Sequence, residues 1–597
     1  MRAIIVGSFV KAGDVFATDV KVIDVQSKQL LRSAGSRGEG VASILKTQID
    51  ELSRQISAGI GLPEEAIRTE QRPVAEVTTS SMEAYEQYVK GRLAYDNWDH
   101  VLARRHFERA VEIDTSFAFA YRYLSLSFSY LGLSEARDEA CRKAYRHAQK
   151  ATELERLHIE ERYAWIIQHD RAKQIRILQE IAEKYPTDKE IHLALGIYYY
   201  SEDEVDKSVV VLTKVLALDP DFAEAHNQLG YAYAKLGNYE KALSSLEHYD
   251  SLLPDSPNPH DSKGEIFVAM GWYDRAIAEF DQALAINPSY FPTYLRAACV
   301  FALREEYEKA NAFIDRGLAN DKRLRPRAEG EQWKAFSACW AGRSNEAFEH
   351  VLESQRLAKE TGASFLESVC EWWKARIYSS QGNARLSRVH YSRFVESATA
   401  IRPDLAVWAR IHPSMAEALT ALQAEDTKGV RIQLDTIARD LPNVEAAMRP
   451  YALFFRDRLL AETLLLEGRY QQCIDMKRDL HFVPIIGNLS TFNLAHVNLP
   501  PMEDQVARAY AGLNDRKAAI REYEAIIRRD PERNNHLLIH PLYHYRLGKL
   551  YEQERLIREA ISQYEKFLEL WGQADAQHPE PADARIRLAS LQMANTP

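Results

Sequence analysis

Hydrophobic and polar residues alternate over the first thirty-five positions, and the period then changes. Ala3 to Val10 is one apolar run, and Lys11-Ala12-Gly13-Asp14 supplies a turn in which Gly13 is free to take positive φ. Val15 to Val25 predicts a second strand, and Gln26-Ser27-Lys28 leads into a short third strand near Gln29 to Arg32. An antiparallel ribbon of this size is marginal alone. Val41, Ile44, Leu45, Ile49, Leu52 and Ile56 fall on one face of a helix and supply its cover. The reading is a small α/β domain over 1–63, closing near Gly59–Pro63, with its first strand beginning almost at Met1 and a truncated N-terminus as one option. Residues 64–80, with Pro73 and Thr78-Thr79-Ser80, read as a linker.

From Ser81 onward the hydrophobic period is helical almost throughout. One pattern recurs every 34 residues: Gly196, Gly230, Gly264 and Ala298 in one phase, and Pro220, Pro254 and Pro288 in a second. Tyr239, Tyr273 and Tyr307 share a third phase, and Ser208, Ala242, Ala276 and Ala310 a fourth. Glycine inside a helix costs about 1 kcal/mol against alanine, so its recurrence implies close backbone packing of a partner helix. Leu212, Leu246 and Phe280 are the facing residues expected from the second helix, and each proline ends that helix by lacking an N–H. A helix-turn-helix unit at this period predicts an α-solenoid, each pair stacked on its neighbours. The regular block is 189–322. Partly irregular pairs precede it over 81–188, including one long helix over 136–154, and divergent pairs follow over 323–503 with turns at Gly342, Gly382, Asp426–Gly429 and Gly468. Residues 480–502, rich in proline and asparagine, read as a loop, and repeats with a capping helix fill 504–597.

These positions resemble the tetratricopeptide repeat. The resemblance is carried by residues 223–255, by 261–288, and by Leu547, Gly548, Tyr551, Ala560 and Tyr564 in 542–570. It implies a mainly α superhelix of antiparallel helix pairs and a protein-binding role. A second resemblance rests on Val6-Gly7-Ser8, Gly13, the Val20–Asp24 strand, Ile49-Asp50-Glu51-Leu52 and the closing residues 571–591. It is to bacterial signalling proteins in which a small α/β domain precedes repeats, as in the regulatory half of serine/threonine kinases or adenylate cyclase-like regulators. The effector itself is missing from the sequence, which has no glycine-rich loop with its lysine and no HRD/DFG pair. Gly35-Ser36-Arg37-Gly38-Glu39-Gly40 reads as a turn rather than a phosphate cradle.

Charge and cysteines narrow the function. Formal charge is −10 with no long basic block, so nucleic acid is not the expected partner. Cys141, Cys299, Cys339, Cys370 and Cys473 form no CxxC pair, so a disulfide framework is not expected. No segment of eighteen mostly apolar residues predicts a membrane span. The expected compartment is cytoplasmic, or periplasmic if an anchor precedes the chain. No cofactor or metal is expected: there is no HExxH, and His536/His540 and His481 read as loop histidines. Glu160-Glu161 and Glu305-Glu306 read as solvated acids, and Lys322, Arg323, Arg325 and Arg327 as a solvated connector. No catalytic residue is assigned.

What remains is a binding face. First helices line the concave side of such repeats, which places Glu190, Leu193, Ile197, Tyr200, Glu224, Asn227, Tyr231, Lys235, Asp261 and Glu265 in a groove for a protein or peptide segment. At the positions where one sub-class clamps a terminal carboxylate, Asp261 and Glu265 would repel that ligand. The main expectation is an interaction scaffold or regulatory module. The alternatives are an enzyme with a pocket in the irregular 360–500 region, and a homo-oligomer formed through a repeat end or a β-edge.

Overall fold

The computed structural model describes residues 3–24, 27–40, 43–59, 79–97, 99–401, 406–446, 448–478, 491–498, 502–528 and 538–594. The expected linker lies almost wholly outside the described residues. The chain divides into two compact units, Met1–Pro186 and Thr187–Pro597.

In the first unit, strands β1 (Ala3–Ala12), β2 (Val15–Asp24) and β3 (Leu30–Glu39) form an antiparallel sheet in that order. Gly13 takes φ +63° in the β1–β2 turn. β3 runs further than the sequence suggests and absorbs most of the glycine cluster read as a turn. The reason is close packing. A Cβ on Gly35 would lie 2.7 Å from Asp19 Oδ1, and one on Gly38 would lie 2.5 Å from Ser43 Cβ. Only Gly40, at φ +72°, turns the chain there. Ile44–Gln48 is a π-turn that leads into the helix Ile49–Gly59. The buried Gln48 donates from Nε2 to the Phe16 carbonyl at 3.1 Å and accepts from Thr18 Oγ1 at 2.6 Å. Phe16, Val22 and Ala34 of the sheet and Leu52 of the helix are buried apolar residues.

Three helix pairs complete this unit: Met82–Asp96 with His100–Ile113, Ala118–Tyr130 with Ser134–His147, and Glu153–Ile166 with Arg171–Lys184. The long helix expected over 136–154 is broken. It ends at His147, a short 3₁₀ turn follows at Ala148–Lys150, and Thr152 opens the next helix. Thr152 Oγ1 accepts from Glu155 N at 3.2 Å, and Glu155 Oε2 accepts from Thr152 N at 3.1 Å. This reciprocal cap satisfies two N–H groups that a starting helix leaves free.

The second unit is built of stacked helix pairs from Lys189–Ser201 onward, closed by Glu580–Ala594. The repeat glycines mark the tightest approaches. A Cβ on Gly196 would stand 2.6 Å from Leu212, and one on Gly230 2.7 Å from Leu246. Gly264 sits the same way beneath Phe280. First helices of successive pairs touch one another more closely than second helices do, so the first helices line the inner face of the stack. The turns expected at Gly342, Gly382 and Gly468 have φ of +73°, +74° and +69°.

Two features break the simple stack. The helix Thr491–Asn498 lies inside the segment read as a loop. The C-terminal repeats also reach back to the middle ones. Trp571 Nε1 donates to the Trp340 carbonyl at 2.7 Å, and Asp575 N to the Gly342 carbonyl at 3.0 Å. Glu305, read as solvated, is instead bound to His544 Nε2 at 2.9 Å.

Candidate protein-interaction face

The regular block presents Lys189–Ser201, Ala223–Lys235, Asn258–Ala269 and Phe291–Leu303 as successive first helices. The ten residues expected in the groove divide by depth. Ile197 is 38% exposed, and Glu190, Tyr200, Glu224, Tyr231 and Lys235 are half-buried. Leu193 packs inward with Leu212, Val215, Ala225 and Leu229. Asn227 is buried, and its Oδ1 has no hydrogen-bond partner among the described residues.

Asp261 and Glu265 are buried rather than open, because a cation stands between them. Arg296 donates from Nε to Glu265 Oε1 at 2.6 Å and pairs with Asp261 Oδ2 at 3.0 Å. Thr293 Oγ1 donates to Asp261 Oδ1 at 2.7 Å, and Tyr231 Oη donates to Glu265 Oε2 at 2.6 Å. The structure thus joins Tyr231, Asp261 and Glu265 from the expected set to Arg296 and Thr293 from the next repeat. The acidic pair expected to repel a carboxylate ligand is thus bridged by Arg296 within the fold. Burial raises the Asp261 carboxyl above its ordinary range; Arg296 opposes the rise and Glu265 adds to it. Burial, then the Glu265 charge, raises the Tyr231 hydroxyl well above its usual value, so it stays a donor.

A second cluster flanks this network. Lys235 Nζ lies 2.8 Å from Asp203 Oδ1 and 4.7 Å from the centre of the Tyr200 ring. Burial, then the charge of Glu265, pushes the Tyr200 hydroxyl up to about 12. Sequence reading missed Arg296. The signal was available, since it stands in the phase of Ser262, one repeat of 34 residues later.

Elsewhere, a cleft of about 450 Å³ lies where the C-terminal repeats meet the middle ones, lined by Arg304, Tyr307, Trp340, Arg343, Lys566 and Glu569 among others. Its cations are engaged: Arg304 with Asp274 and Glu306, Arg343 with Glu346, and Lys566 with Glu569. No group of three potential metal ligands occurs among the described residues. His540 caps the helix Pro541–Gln553 by accepting from Leu542 N at 3.2 Å, while His536 and His481 lie outside the described residues. All five cysteines are unpaired, and burial pushes Cys299 and Cys339 up to about 12. No helix of the described residues is long and apolar enough to cross a membrane.

This geometry defines an α-solenoid whose inner face is polar along the regular block. The chain carries tetratricopeptide repeats. A TPR repeat model matches 196–237, and a tetratricopeptide repeat model matches 223–255 and 260–290. No curated protein matches the chain. Among solved structures it is similar to the APC/C hetero-tetramer Cut9-Hcn1, at 12% identity and TM-score 0.33, over 85% of this chain and 96% of that one. It is similar to yeast Tom70 at 13% identity and TM-score 0.32, over 86% and 96% of the two chains. The type IV pilus biogenesis factor PilW matches at 20% identity and TM-score 0.27, over 36% of this chain and 94% of that one. Scores at this level leave the repeats themselves as the ground for the class: a protein-interaction scaffold.

Proposed function

We propose that the inner face of the regular block binds a protein or peptide segment bearing cationic side chains, and that the chain serves as a scaffold or regulatory module in bacterial signalling. The observation that carries the partner chemistry is the charge balance of the face. Asp261 and Glu265 share Arg296 as a cation, Asp203 is paired with Lys235, and Glu190 and Glu224 stand half-buried on the first helices. A cationic segment would meet a face on which two carboxylates share one arginine, with Ile197 and Tyr200 offering apolar contact. The signalling role is supported by the sheet-and-helix unit that precedes the repeats.

The test is affinity capture from the native cells with the intact chain and with the I197D/E224K variant, whose changes avoid the buried network. Partners with basic segments, captured by the wild type and lost with a variant of unchanged circular dichroism, are the expected result. Partners indifferent to the variant would move the interface off this face.

A further inference from the structure

The helix Thr491–Asn498 does not belong to any pair of the stack. It touches the first helices Phe291–Leu303 and Leu324–Trp340. The Phe492 ring lies 5.1 Å from Trp372, and the His496 ring lies 4.7 Å from Phe455, 5.1 Å from His412, 5.5 Å from Tyr451 and 5.7 Å from Trp408. Those rings come from Ser364–Ser380, Ala406–Gln423 and Arg449–Leu466, again all first helices. Five successive first helices therefore contact one helix of eight residues. It runs along the inner face from the last regular pair into the divergent repeats, and a helix laid in an apolar groove is a recurring mode of recognition.

The fit is good in shape and poor in polarity. Leu494, Ala495 and His496 are buried to within 1% of full cover. Yet His496 Nδ1 and Nε2, Thr491 Oγ1 and His412 Nε2 have no hydrogen-bond partner among the described residues. Buried groups left unpaired weaken an interaction that shape would otherwise favour. Burial also holds His496 well below its ordinary range, so the ring enters this box neutral. A helix of similar shape with a carbon-only ring in place of His496 would avoid that loss.

We propose that the inner face of the divergent repeats is a binding site for a short apolar helix carrying one aromatic ring and a second ring four residues on, and that Thr491–Asn498 fills it in cis and excludes such a partner. This does not depend on the cationic segment assigned to the regular block.

The probe is a labelled synthetic peptide of residues 489–500 in which His496 is replaced by phenylalanine. Fluorescence anisotropy measures its binding to the full wild-type chain and to the full F492A/H496A chain. At least tenfold tighter binding to the variant is expected. A folded variant that binds the peptide no better than the wild type, or no better than a scrambled peptide, overturns the proposal. If the variant does not fold, hydrogen exchange on the wild type decides. Amides of 495–498 should then exchange at least tenfold faster than those of 369–377 and 409–418, which face them. Exchange of all three at one rate would make the helix an ordinary part of the core and end the proposal.

Discussion

Gly230 has no side chain because one would stand 2.7 Å from the Leu246 branch point. Alanine there gains about 1 kcal/mol of helix propensity but forces about 1–3 kcal/mol of overpacking. Gly230→Ala should therefore lower the urea midpoint of the regular block, and a raised midpoint would show that the pair opens more easily than its contacts suggest. Arg296 sets a larger stake. Arg296→Ala leaves Asp261 and Glu265 buried without their cation, an arrangement that costs roughly 3–5 kcal/mol. The sign with pH follows from Asp261, whose carboxyl lies above its ordinary range. In acid it takes up a proton and the uncompensated charge falls, so the variant's loss should be greater at pH 8 than at pH 5. Equal losses at both would place the penalty in packing instead. The buried histidines run the opposite way. Burial pushes His412 down to about 4 and His540 down to about 3, with Arg376 adding to the first and Arg546 to the second. The unfolded chain binds their protons near pH 6.5, so the stability they confer is complete above that pH and lost as pH falls toward 4. Urea midpoints at pH 7.5, 6 and 5 should fall in that order, and His412→Phe should flatten the decline.

Helices were legible where their packing demands a particular residue. Gly196, Gly230 and Gly264 could be read from the sequence because each must face a bulky residue sixteen positions on, at Leu212, Leu246 and Phe280. The Thr152-Glu153-Leu154-Glu155 cap is equally local, but the apolar period of 136–154 continues across it and masks the break. Thr152→Ala should cost about 1 kcal/mol, seen as a lower melting temperature with earlier hydrogen exchange confined to Glu153–Ile166. Thr491–Asn498 hid for a different reason. It is buried on several sides at once, so it shows no apolar stripe, and its Asn493 and Asn498 resemble loop residues. Asn498 in fact accepts from Leu538 N at 2.7 Å. The groove was half legible by the same logic. Repeat phase placed Tyr231, Asp261 and Glu265 near one another, but their burial depended on Arg296 in a neighbouring helix.

In the second unit, contacts distant in sequence turn a stack of neighbours into something more cooperative. A linear solenoid gains stability only from adjacent repeats. Here Trp571 and Asp575 bind Trp340 and Gly342, and His544 binds Glu305 across 239 positions. Nothing in a repeat period encodes such pairings, because they follow from the accumulated curvature of many units. Gly342 shows the closeness of the join: a Cβ there would stand 2.8 Å from Ala574. Trp571→Ala removes a buried ring and its hydrogen bond, a change of about 3–5 kcal/mol at a packed site. That loss should not spread evenly. Amides at 340–347 and 540–575 should lose protection from hydrogen exchange, while those of 223–252 keep theirs, since neighbouring pairs alone hold them. Loss of protection across the whole unit would mean that the join controls its folding as a single cooperative body. Loss limited to 557–594 would mean that the middle repeats gain nothing from it.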